Sequence, residues 1–144
     1  MKINKVLILI GIVLLSMYSF GQQTDSKLSA VYSPEELISI KQSSPNAIEY
    51  FNFYVNNSYV ITYFVADKPM DYKELHKINP QTKEVLSDAI TTSDVTDFNP
   101  YLFDCNPDTE KRTYYKMGNT GKLLIMLSRK EIQKKFRMKN NTNK

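Results

Sequence analysis

Residues 114–128 read YYKMGNTGKLLIMLS, and the fold turns on what the glycines in the middle of this stretch do. A phosphate-cradling P-loop is G-x-x-x-x-G-K-[ST], with a strand before it and a helix after. Counting back from Gly121, the first required glycine falls on Lys116. The residue after Lys122 is Leu123, which has no hydroxyl to offer a magnesium ion. The flanks are wrong too. RTYYKM and KLLIMLS are aromatic, β-branched and aliphatic, so both read as strands, and no helix N-terminus points at an anion. The Gly-x-x-Gly clamp of an RNA-binding KH domain sits between helices and fails for the same reason. Gly118, Asn119 and Gly121 instead supply the positive φ values of a tight bend. The stretch is therefore a β-hairpin. Its run 123–127 is apolar on both alternate sets, which predicts a central strand covered on both faces.

Working outward, Ser128 and Glu131 form a capping box, and Ile132 and Phe136 mark one face of a helix running to about 138. The Asn-rich end, 139–144, reads as a disordered tail. Upstream, 91–111 is a long connection with two Asn-Pro steps, where Ser93 or Asp94 can cap a short helical turn. Phe98, Tyr101, Leu102 and Phe103 are too apolar for a free loop and are expected to pin it to the core. Residues 72–78 and 84–90 read as strand and strand around the turn Asn79–Pro80, although Val85, Leu86, Ala89 and Ile90 also fit one helical turn. The stretch 59–65, YVITYFV, reads as a buried strand or as a continuation of the helix before it. Before it lie two helix starts. Ser33 and Ser44 stand as caps, each followed by proline, which predicts helices over 34–42 and 45–57. The expected fold is α+β: two N-terminal helices packed on a small, mostly antiparallel sheet, closed by a C-terminal helix.

The N-terminus bounds location. MKINK is basic, VLILIGIVLL is uncharged, and Ser19 and Gly21 stand at small-residue positions before a cut. This order predicts a secretory signal peptide over 1–21, cleaved near Gly21, rather than a span, which needs about 20 apolar residues. A flexible leader, 22–31, and a single domain, 32–138, should follow. One domain of this size buries roughly two thirds of its unfolded surface and needs no disulfide. It can have no internal one, since Cys105 is the only cysteine. The same count argues against a lipid anchor near the leader.

Charge is split along the chain. Residues 22–110 carry 6 basic and 14 acidic side chains, while 111–144 carry 11 basic and 1 acidic. Either the basic end folds back on an acidic face, or it meets an anionic partner. The candidate contact is Lys130, Lys134, Lys135, Arg137 and Lys139.

Two other constellations bear on chemistry. Asp104, Asn106, Asp108 and Glu110 alternate as oxygen ligands do at the start of an EF-hand loop. The pattern then fails, with Thr109 at the glycine position and Tyr115 at the bidentate-glutamate position. His76, the sole histidine, and Cys105 could pair as base and nucleophile only if the fold brought them together. Ten tyrosines and seven phenylalanines, among them Tyr50, Tyr54, Tyr59, Tyr63, Tyr114 and Tyr115, read as core packing.

The leader ending in SFGQQ, the Lys/Asn/Ile-rich usage and YYKMGNTGKLLIMLS resemble small exported uncharacterised proteins of Bacteroidetes-type bacteria. The resemblance implies a periplasmic or secreted location and carries over no functional residues. The expected function is a non-enzymatic envelope interaction module binding an anionic protein or envelope component, without nucleic acid, cofactor or membrane anchor. The alternative is a metal-binding protein or enzyme using Asp104, Asp108 and Glu110, or His76 and Cys105.

Overall fold

The computed structural model describes residues 26–65 and 70–142; the expected signal peptide lies outside them. The chain is an α+β fold. Helix α1, Ser26–Ser29, precedes α2, Pro34–Ser43, and α3, Ala47–Asn57. Strands β1, Tyr59–Tyr63, β2, Tyr72–Glu74, β3, Lys77–Ile78, and β4, Val85–Ser87, follow. Then come α4, Thr92–Thr96, a 3-10 turn at Pro100–Leu102, β5, Thr113–Lys116, β6, Lys122–Met126, and α5, Arg129–Thr142.

Local chemistry explains most of these bounds. Ser33 and Glu36 close a reciprocal capping box on α2, with Pro34 in the first turn. Ser44, expected to cap the next helix, instead ends α2, its N–H donating to the carbonyl of Ile40 at 2.8 Å. Pro45 holds Ser44 extended, at φ −148° and ψ 90°, so Asn46 takes the N-cap of α3. Thr91, rather than Ser93 or Asp94, caps α4, with Asp94 as the reciprocal partner. The bend between β5 and β6 has Gly118 at φ +52° and Gly121 at φ +67°, the left-handed values the hairpin requires.

The main sheet has the order β1-β6-β5-β2. β6 lies between β1 and β5, antiparallel to both, while β2 pairs parallel with β5. The sheet is thus mixed, and the strand expected over 72–78 divides. Its first part joins β5. Its last residues form a separate ribbon with β4. The division falls at Leu75–His76. Leu75 is buried in the core, and the His76 N–H donates to Oδ1 of Asp104 at 2.9 Å while the Asp104 N–H donates to the His76 carbonyl at 3.1 Å. The chain is held to the long connection at this point and cannot continue straight.

The inner sheet face presents Tyr115, Leu124 and Met126, and packs with Leu75, Met117, Phe98, Phe103 and Cys105. Much of its cover is therefore the 98–105 connection, pinned as its apolar residues suggested. Phe98 and Phe103 stack at 4.9 Å. The helices gather beside it. Leu28, Ile48 and Val55 form one cluster, and Phe53, Leu127 and Ile132 join α3 to α5 in another. Tyr54 packs against all three clusters.

Two expected boundaries and one expectation of burial differ from the structure. The polar composition predicts a flexible leader to 31, but 26–29 is helical and Leu28 and Val31 are buried. Apolar contact with α3 outweighs the polar composition there. The Asn-rich end predicts a disordered tail from 139, but α5 runs to Thr142. The central strand was expected to be covered on both faces. β6 is central and Leu123 is buried, yet the outer face also carries Val60, 47% exposed, and half-buried Tyr114 and Ile125.

Candidate functional site

The acidic loop 104–110 is a structural joint. Asp104 accepts the His76 amide, as above. Asp108 Oδ1 accepts the N–H groups of Lys111 and Glu110, each at 2.8 Å. These two bonds, the Lys111 amide first, hold its carboxyl below the ordinary range. The carbonyls of Asp108 and Thr109 accept the N–H groups of Arg129 and Lys130 at 2.8 and 3.3 Å. The first amides of α5, which no helical carbonyl can satisfy, are met by this loop. Arg129 Nε also donates to the Pro107 carbonyl at 3.1 Å. Glu110 pairs with Lys130 at 2.7 Å, and Asn106 is exposed. Among the described residues, no group of three or more His, Cys, Asp or Glu side chains could hold a metal ion.

His76 and Cys105 are brought near one another in the chain path but serve different partners. His76 Nδ1 lies 2.8 Å from Oδ1 of Asp88. Cys105 is 2% exposed, and its thiol donates to the Pro100 carbonyl at 3.5 Å. Burial pushes the thiol up to about 12, the reverse of what an activated nucleophile needs. The arrangement suits a small core hydrophobe.

Helix α5 gathers the five basic residues singled out in the sequence. At about 100° per residue, Lys130, Lys134 and Arg137 share the side opposite Ile132 and Phe136. Ile132 is buried, and Phe136 meets Tyr50 and Phe53, each at a centroid distance of 5.2 Å. Lys134, Lys135 and Arg137 are exposed and make no ion pair among the described residues. Lys139 lies toward the inner side, 4.0 Å from Glu49 and 5.9 Å from the Phe53 ring. Among the described residues, the basic end meets the acidic half through Lys130–Glu110 and Lys139–Glu49 at the margins of α5 and through Lys116–Glu74 across the sheet.

The tyrosines divide. Tyr115 is buried, and Tyr54 and Tyr101 lie 5.2 Å apart, both raised by burial. Tyr63 is 73% exposed, its ring under Lys122 Nζ at 3.5 Å. Sequence reasoning missed the Arg112–Glu131 pair and the exposed outer sheet face. The second had a signal, since 59–65 lacks any charge. No helix of the described residues is long and apolar enough to cross a membrane. Comparison with protein-family models, with curated proteins and with solved structures finds no match to this chain.

Proposed function

We propose that the protein is an exported, non-enzymatic module of the cell envelope whose C-terminal helix engages an anionic protein or envelope component. One observation carries this reading. Lys134, Lys135 and Arg137 stand exposed on α5 with no carboxylate partner among the described residues, while the apolar side of the same helix is packed on α3. Clustered cations on a rigid element raise the local concentration of anionic partners and speed their encounter. The signal-like leader supports an envelope setting. Pull-down from envelope extracts at low and at high salt tests the reading. A partner should be captured at low salt, released at high salt, and lost with Lys134→Glu/Arg137→Glu. A captured set unchanged by salt and by the double substitution would refute it.

A further inference from the structure

The two edges of the main sheet differ. β2 ends it with three residues, two of them charged, Lys73 and Glu74. Short length and charge are how proteins blunt an edge against further pairing. β1 ends the other side with YVITY, five residues without charge, continued by Phe64 and Val65. It carries none of these safeguards.

The hydrogen-bond parity of β1 is fixed at both ends. The Phe64 N–H donates to the Gly121 carbonyl at 2.9 Å, and the Leu127 N–H donates to the Ser58 carbonyl at 2.9 Å. Antiparallel strands bond through alternate residues. Even-numbered residues of β1 therefore face β6, and the N–H and C=O groups of Tyr59, Ile61 and Tyr63 face away from the sheet. Among the described residues, no hydrogen bond from elsewhere in the chain reaches those backbone groups. Apolar surface continues around them. Val60, Tyr63 and Val65 are 47%, 73% and 49% exposed, and a groove of about 290 Å³ lined by Thr62, Tyr72, Tyr114, Leu123 and Ile125 runs along the outer face beside them.

We infer that β1 is a self-association edge, and that two copies join antiparallel strand to strand about Ile61 into one continuous sheet. The occupant follows from what this edge demands. It needs a strand of matching length, free on alternate backbone groups, apolar, and without a charge to strand at the joint. Among the described residues β1 itself meets that demand and the other edge, β2, does not. Antiparallel pairing about Ile61 sets Tyr59 opposite the second copy's Tyr63 and Val60 opposite the second copy's Thr62. Aromatic and β-branched cross-strand pairs of this kind stabilise sheets. The joint is isologous, so it closes at a dimer. It contains no ion pair. Lys27, 3.3 Å from the Tyr59 hydroxyl, and Lys122, over Tyr63, would approach across it. Salt should therefore leave the dimer unchanged or strengthen it, the opposite of its effect on a partner held by α5.

Sedimentation velocity on the chain as its cell processes it, over about a hundredfold range of concentration, reads the association. Hydrogen exchange at the same concentrations reads the place. The expected result is a monomer–dimer equilibrium in which the Tyr59, Ile61 and Tyr63 amides gain protection as dimer forms. Val60→Lys, at an exposed site, and Tyr63→Pro, which removes an edge-facing donor that β6 does not use, should each weaken association at least about tenfold. A monomer throughout the range overturns the proposal, and so does capture of a heterologous strand in place of a second copy. A dimer whose β1 amides exchange freely overturns it as well, and that test needs no variant to fold.

Discussion

Arg112 donates to a single oxygen of Glu131 from two nitrogens, Nε at 2.9 Å and Nη2 at 2.6 Å. The other oxygen, Oε2, accepts the N–H and the hydroxyl of Ser128 at 3.0 and 3.2 Å. One carboxylate therefore caps α5 and ties the start of that helix to the start of β5. The pair with Arg112, then the Ser128 amide, hold the Glu131 carboxyl down at about 2, from an ordinary 4.5.

That depression sets a pH signature. A carboxylate whose folded pKa is lowered stabilises the fold above its unfolded pKa and loses the contribution as pH falls toward the folded value. Glu131→Gln should therefore destabilise at neutral pH by about 1 kcal/mol, the figure reduced for solvent screening of a partly exposed pair. The gap from wild type should close between pH 4.5 and about 2. Urea melts at pH 7 and pH 3 check this. An equal gap at both would show that the glutamine's lost capping geometry, and not the charge, is responsible.

Cys105 should be chemically silent while the domain is folded. Its thiol is buried and pushed up to about 12, so very little thiolate exists near neutrality. An aromatic disulfide reagent should label it at the rate of global opening and rapidly in denaturant. Stoichiometric labelling of the native protein within seconds would contradict the packing described and reopen a nucleophilic role.

Phe98 should be among the costliest truncations. It is 1% exposed, stacks on Phe103, and lies edge-on to Tyr59 at 4.7 Å, whose hydroxyl donates to the Phe98 carbonyl. Phe98→Ala should cost about 3–5 kcal/mol, a large part of the stability of an ordinary domain. Thermal unfolding measures it. A loss below about 1 kcal/mol would mean that the connection does not cover the sheet as a fixed layer.

What could be read from the sequence was what short-range chemistry decides. The capping boxes at Ser33–Glu36 and Ser128–Glu131, the Gly118–Gly121 bend and the apolar 98–103 segment each declared themselves within a few residues. The parallel pairing of Tyr72 with Tyr114 did not, because it joins residues far apart in the chain. A stretch such as 72–78 reads as one strand until the Asp104 side chain takes the His76 amide and turns it. The candidate site was legible in part. The five basic residues stand close together in the sequence and fall on one helix, but only tertiary contacts show Lys130 and Lys139 against Glu110 and Glu49, with Lys134, Lys135 and Arg137 in no ion pair among the described residues. The charge-free edge of β1 was visible as composition, and its significance waited on which backbone groups β6 leaves over.

The hairpin bend offers a test of the same reading. A Cβ at Gly121 meets nothing within 4 Å, yet the residue sits at φ +67°. Gly121→Ala should therefore cost about 1 kcal/mol through backbone strain alone, and Gly121→Asn less, since asparagine tolerates that region. Gly118→Ala places its Cβ 3.4 Å from Ile90, an added crowding, so its cost should be at least as large. A neutral Gly121→Ala would mean that the bend relaxes to another turn type. Paired chemical denaturation curves resolve differences of this size.

Helix α5 should separate stability from binding by face. Phe136 is half-buried against Tyr50 and Phe53, so Phe136→Ala should cost about 2 kcal/mol, less than a fully buried ring would. Lys134→Glu/Arg137→Glu changes exposed positions and should move stability by no more than about 0.5 kcal/mol. The glutamate introduced in place of Lys134 would even stand four residues after Lys130, an attractive spacing on a helix. Binding to an anionic partner should respond in the opposite order: abolished by the charge reversal, and kept by Phe136→Ala at temperatures where that variant is folded. Melting curves and salt-dependent pull-down on the same two variants supply both readouts. Loss of binding in Phe136→Ala alone, with the charge reversal still competent, would place the partner's contact on the packed side of the helix and remove the electrostatic reading.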